Sequence, residues 1–133
     1  MAGGRVRTIA LIAHDEKKLA LAAWVQRHRA AFDGWRIIGT ATTASAVCKA
    51  CPDLTVEAVR SGPLGGDLQI GAMIAEGRID VLVFFPDSLT PMPHDVDVKA
   101  LLRIALVYDI PCAFNPRSAD SIAVELLVSR VPG

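Results

Sequence analysis

A doubly wound α/β fold, with a five-stranded parallel sheet and helices on both faces, is the class this chain predicts, on three observations. Short apolar runs alternate five times with longer amphipathic stretches. The runs at 9–12 and 81–85 are apolar at every position, as strands covered on both faces must be. The stretches between them repeat apolar residues at helical spacing: Leu21, Trp24 and Val25 with His28, and Val98, Leu101, Leu102 and Ala105 at i, i+3, i+4, i+7.

Taken in order, residues 6–13 form the first strand and 16–32 the first helix, followed by strand 37–40 with helix 44–50 and strand 55–59 with helix 68–76. Strand 81–85 with helix 98–108 and strand 111–114 with helix 119–129 complete five β-α units. No linker, repeat or low-complexity tract interrupts them, so residues 1–133 are expected to form a single domain. The longest connection, 86–97, carries three prolines and is long for a βα loop in a compact fold.

Composition excludes several function classes. Fourteen Lys plus Arg balance fourteen Asp plus Glu with no dense run of either sign, so nucleic acid is not an expected partner. Hydrophobic content of 52% is high, yet no stretch reaches the roughly 20 apolar residues of a membrane span, and the excess is read as buried strands and subunit interfaces. The segment Met1-Ala2-Gly3-Gly4-Arg5 lacks the apolar core of a signal peptide, which makes the cytoplasm the expected compartment. Cys48 and Cys51 form a C-x-x-C without the second ligand pair that zinc needs. Pro52 and Asp53 place that pair at a helix end rather than the helix N-terminus that favours thiolate, so these cysteines and Cys112 are read as small buried thiols.

In an open parallel sheet the ligand sits beyond the carboxyl ends of the strands, and four such junctions are unusually polar. They carry His14-Asp15 with Lys17 and Lys18; Thr40-Ala41-Thr42-Thr43; Ser61-Gly62-Pro63-Leu64-Gly65-Gly66-Asp67; and Asp87 with His94-Asp95-Val96-Asp97. Each has a plain structural reading: Asp15, Asp67 and Asp97 as helix N-caps, Thr42 or Thr43 as the cap of the second helix, and His14 as a partly buried structural histidine. Together, hydroxyls, backbone N–H groups and a lysine ammonium are what a phosphate monoester requires, and Asp67, His94 and Asp97 supply acid-base groups on the same edge. A nucleotide is disfavoured, because no Gly-Lys-Ser/Thr ends the glycine turn and no G-x-G-x-x-G follows strand one. His94, Asp95 and Asp97 are one short cluster, and no metal is expected.

These residues resemble the methylglyoxal synthase family over nearly the whole chain: residues 9–15 with Lys18, residues 61–71, and Pro93-His94-Asp95 with Asp97-Val98. The resemblance implies a cofactor-independent lyase that converts dihydroxyacetone phosphate into methylglyoxal and inorganic phosphate, the phosphate acting as product and inhibitor, usually as a homohexamer. It assigns Asp67 as catalytic base, His94 and Asp97 as further catalytic groups, and His14, Lys18, Thr40, Ala41, Thr42, Thr43, Ser61, Gly62 and His94 as substrate contacts. Asp15, Gly65, Gly66 and Asp87 complete the pocket candidates.

The implied chemistry has two steps. Asp67 removes a carbon-bound proton beside the ketone while His94 hydrogen-bonds the enediolate oxygen; the phosphate cradle then holds the bridging C–O bond roughly perpendicular to the enediolate plane for elimination. Because an ordinary aspartate is a weak base, burial of Asp67 or strong enediolate stabilisation is expected.

The chain also departs from the family pattern. Ala41 and Ala44 stand where the family's phosphate loop has glycine, and a positive φ at either would strain the loop by roughly 1 kcal/mol or more. Pro86 precedes Asp87 where a bulkier or polar residue is usual, Phe114 replaces a common threonine, and Arg130 is the candidate for the contact that a basic tail makes toward a neighbouring subunit's phosphate site in some relatives. The alternative function is a non-catalytic phosphate-ligand sensor like the regulatory domain of carbamoyl-phosphate synthetase, and a third is a structural interaction module. Retention of Asp67, His94 and Asp97 together argues for the enzyme.

Overall fold

The computed structural model describes residues 6–87 and 95–127. Strands β1 (Thr8–Ala13), β2 (Arg36–Thr40), β3 (Val56–Val59), β4 (Val81–Phe85) and β5 (Cys112–Ala113) form one sheet in the order β3-β2-β1-β4-β5, with every pairing parallel. Helices α1 (Lys18–Arg27), α2 (Ala41–Ala50), α3 (Gly66–Ala75), α4 (Asp95–Val107) and α5 (Pro116–Ile122) follow the strands in turn, and α5 runs on into a π-helical turn, Ala123–Leu127. The expected doubly wound α/β architecture is present.

Strand pleating sorts the core into two layers. Ile9, Leu11 and Ala13 of β1 point to the face covered by α1, α2 and α5, where they meet Leu21, Trp24, Val25, Val47, Ala119 and Ala123. Ala10 and Ile12 point to the opposite face, against Ile70 and Ile74 of α3 and Val98, Leu101 and Ala105 of α4. Central β1 and β4 are buried at every position, which explains why their sequences show no alternation. Each fully buried Leu, Ile or Phe contributes about 1.5–3 kcal/mol.

Strand order reverses between β1 and β4: the chain leaves β1 toward β2 and β3, then returns to the other side of β1 as β4. That switch point opens a crevice at the carboxyl ends of both strands. Asp80 serves the opposite end, where its Oδ2 accepts the Thr8 N–H at 2.8 Å.

Helices α2, α3, α4 and α5 start earlier than their apolar spacing suggests. α2 begins at Ala41 directly after β2, with Thr40 as N-cap in extended backbone. Neither Thr42 nor Thr43 is therefore its cap. α3 begins at Gly66, with Gly65 as N-cap in the left-handed region at φ 95°, so Asp67 lies inside the first turn instead of capping it. Asp15 likewise sits in a short 3-10 turn, Asp15–Lys17, whose N-cap is His14, and Asp97 is the third residue of α4. Periodicity locates the apolar face of a helix but not its first turn, which is set by the φ and ψ of the preceding residue.

Ala41 and Ala44 are both helical, and Asp109 is the one non-glycine at positive φ among the described residues. The strain anticipated for alanine at these positions is absent. The close approach at this junction is at Gly39 of β2, where a Cβ would lie 3.2 Å from the Leu11 carbonyl oxygen and 3.4 Å from the Ala44 nitrogen.

Candidate active site

At the carboxyl ends of β1 to β4 lies a cavity of about 250 Å³, lined by Ile12, Ala13, His14, Asp15, Glu16, Lys18, Thr40, Thr42, Gly62, Pro63, Asp67 and Asp87. Four separate junctions of the sequence meet in it. Among the described lining residues Lys18 is the one ammonium, set against Asp15, Glu16, Asp67 and Asp87. Its volume falls below the roughly 300–1,000 Å³ of sites for drug-sized ligands, so it suits a small molecule.

Asp67 is fully buried, with 0% exposure. Two glycines put it there. Left-handed Gly65 turns the chain into α3, and a Cβ on Gly66 would run into the Arg60 carbonyl, with 2.8 Å to the carbonyl carbon. Backbone bonds close the turn: Leu64 and Gly66 N–H donate to the Ser61 carbonyl at 3.0 and 2.9 Å, and Gly65 N–H donates to that of Gly62 at 3.0 Å. A carboxylate in the first turn of a helix also sits at the favourable end of its dipole.

His14 lies at the end of β1 and is 7% exposed, its ring edge-on to Phe84 at 5.2 Å. Its Nδ1 accepts the Asp87 backbone N–H at 2.9 Å, which joins the β1 and β4 junctions across the switch point. An accepting Nδ1 carries a lone pair, so the neutral ring bears its proton on Nε2. Lys18, in the first turn of α1, donates to Asp15 Oδ1 at 2.5 Å. The hydrogen bond from Lys18 holds the exposed Asp15 carboxyl below the ordinary aspartate range.

The β2–α2 junction divides its hydroxyls between structure and cavity. Thr43 Oγ1 accepts the Ala13 N–H at 3.0 Å and the Thr40 hydroxyl at 3.0 Å, and donates to the Ala13 carbonyl at 3.3 Å. One donor and two acceptor positions are the full capacity of a hydroxyl. Thr43, expected to contact substrate, has a hydroxyl that forms a buried latch from α2 to β1. Thr40 and Thr42 line the cavity, and Thr40 makes no side-chain cap, so the N-terminal turn of α2 is not closed by its own N-cap hydroxyl.

Of the sequence candidates, His14, Asp15, Lys18, Thr40, Thr42, Gly62, Asp67 and Asp87 meet around the cavity. Ala41, Thr43, Ser61, Gly65 and Gly66 are not among the lining residues. Asp97 is in the first turn of α4, while His94 and Arg130 lie outside the described residues. Ile12, Ala13 and Glu16 line the cavity without having been singled out. Their signal is only position, as the last residues of an apolar strand and the first turn after it. Among the described residues no group of three His, Cys, Asp or Glu side chains is placed to hold a metal ion. Nor is any described helix long and apolar enough to cross a membrane.

Residues 20–114 match the family model described as the MGS-like domain. A protein from Rhizobium rhizogenes named methylglyoxal synthase is 58% identical over 122 residues, covering 92% of this chain and 95% of its own length. One of the same name from Agrobacterium fabrum is 57% identical, covering 87% of this chain and 91% of its own. The crystal structure of methylglyoxal synthase from Elizabethkingia anophelis superposes with a TM-score of 0.84 at 39% identity, covering 96% of this chain and 86% of that one.

Proposed function

This chain belongs to the MGS-like domain family, and from that premise we propose that it is a lyase converting dihydroxyacetone phosphate into methylglyoxal and inorganic phosphate, a carbon-oxygen lyase acting on a phosphate ester. The observation that carries the reading is a fully buried carboxylate, Asp67, on the wall of a small cavity that also holds Lys18, Thr40, Thr42 and Gly62. A sensor needs only the phosphate contacts. A base beside them serves proton removal.

In this reading the phosphate is bound by the Lys18 ammonium, the Thr42 hydroxyl, and N–H groups of the α2 N-terminus and the Gly62 turn. The ammonium alone faces several carboxylates, so the backbone donors carry much of the binding. Asp67 takes a proton from the hydroxymethyl carbon, and the electron pair left behind forms the enediolate. His14, with its proton on Nε2, and His94 donate to its oxygens. The enediolate then expels phosphate from the phosphate-bearing carbon by C–O cleavage, Asp97, the third residue of α4, is read as the group that returns a proton, and the enol product ketonises to methylglyoxal. No cofactor is required, because each step moves only protons and one leaving group.

We read residues 1–133 as one domain that assembles as a homo-oligomer, a hexamer by family resemblance. Leu106, Val107, Tyr108 and Phe114 are apolar and exposed, which favours burial between copies. Inorganic phosphate, fitting the same donors, is expected to inhibit, and the reading places the enzyme in the cytoplasm.

The test is to incubate the purified protein with dihydroxyacetone phosphate and follow phosphate release alongside trapped methylglyoxal. Equal amounts of both support the reading. Binding without turnover would establish the sensor, and neither binding nor turnover the interaction module.

A further inference from the structure

Two side chains near the start of helix α3, Asp67 and Gln69, flank the β3–α3 junction in different ways. Asp67 is buried on the cavity side. Gln69, two residues on and exposed, reaches back so that its Oε1 accepts the backbone N–H of Arg60 at 2.8 Å. Arg60 stands between the last residue of β3 and Ser61. β3 is an edge strand of four residues held on one side only, by β2, and its last ladder pair is Thr40 with Val59. The Arg60 N–H therefore lies just past the sheet, where no strand receives it, and Gln69 takes over as its acceptor.

We infer that Gln69 is a positioning residue for the elimination step: by anchoring Arg60 to α3, it fixes the Gly62 turn relative to Asp67 on the same helix. The inference rests on the function proposed above. The far end of the turn is already closed by Gly66 N–H on the Ser61 carbonyl, so the Gln69 bond completes a seven-residue loop, 60–66, tied to α3 at both ends. Proton removal needs Asp67 near the hydroxymethyl carbon and little else from this loop. Expulsion of phosphate also needs the bridging C–O bond held out of the enediolate plane, and that torsion is set by the contacts that grip the phosphate. Loosening the loop should thus affect the second step more than the first. An enediolate that fails to eliminate returns to substrate by taking a proton from the base, which in deuterated water leaves deuterium on the hydroxymethyl carbon.

The test compares Gln69→Leu and Gln69→Met, which remove the acceptor, with Gln69→Glu, whose carboxylate keeps an oxygen at the same reach. Thermal unfolding confirms that each variant folds, as expected for an exposed side chain. Methylglyoxal formation and deuterium uptake into remaining dihydroxyacetone phosphate are then measured together. The expected result is a kcat for methylglyoxal about tenfold lower in the Leu and Met variants, more deuterium taken up per product formed, and recovery to within roughly threefold of wild type in the Glu variant. Wild-type partitioning in the Leu and Met variants overturns the inference, as does an equal loss in all three. Should the wild-type protein itself form no methylglyoxal, the function proposed above fails first. An active wild type beside unaffected variants removes only the role of Gln69.

Discussion

The β2–α2 and β3–α3 junctions leave neighbouring strands and form neighbouring walls of one cavity, yet they are built from opposite materials. The first has no glycine between Thr40 and Ala50: the helix starts at once, with Ala41, Thr42, Thr43 and Ala44 as its first turn. Its rigidity comes from a hydroxyl, Thr43, locked onto Ala13 of β1. The second needs a left-handed Gly65 and a Gly66 pressed against the Arg60 carbonyl, and its rigidity comes from backbone bonds within the turn. A helix that follows a strand directly presents its N-terminus without any special backbone. A turn that must both expose Gly62 and bury a carboxylate cannot do so without glycine.

Four substitutions sharpen this contrast. Gly66→Ala should have the largest effect, a loss of roughly 2–4 kcal/mol in urea unfolding, because the obstruction is backbone rather than a movable side chain. Thr43→Val should follow at about 1–3 kcal/mol, since the isosteric methyl leaves the Ala13 N–H buried without its acceptor. Ala41→Gly should cost up to about 1 kcal/mol in the same measurement. A gain there would instead mean that position 41 requires glycine geometry, and would break the contrast. The smallest change in stability, within about 0.5 kcal/mol, is expected for Thr42→Ala, at an exposed side chain, whose effect should appear as a raised KM for dihydroxyacetone phosphate.

These two junctions also show what was legible in the sequence. The five β-α units could be read because runs such as 81–85 are apolar throughout and α4 repeats its apolar residues at i, i+3, i+4, i+7. Which junctions converge followed from the rule that ligands sit beyond strand carboxyl ends, and His14, Lys18, Thr42, Gly62 and Asp67 do meet there. The Asp67 burial anticipated from the weak basicity of aspartate is present. Helix starts were not legible: Asp67 looked like a cap, and the capping position belongs to Gly65, whose φ no periodicity reveals. Nor was the division of labour between Thr42 and Thr43. Adjacent, chemically identical residues differ because one points at Ala13, 30 positions away, and that contact exists only once β1 and α2 have packed. The bond between His14 and the Asp87 backbone, spanning 73 positions, is hidden for the same reason.

The central claim is that Asp67 is the base of a phosphate-eliminating reaction, and Asp67→Asn tests it most directly because the amide keeps the size of the buried side chain. Phosphate release and trapped methylglyoxal should both fall by on the order of 10² to 10⁴ relative to wild type, while binding of a phosphate-bearing inhibitor changes little. Methylglyoxal formation within a few-fold of wild type in a folded Asp67→Asn protein would contradict the account.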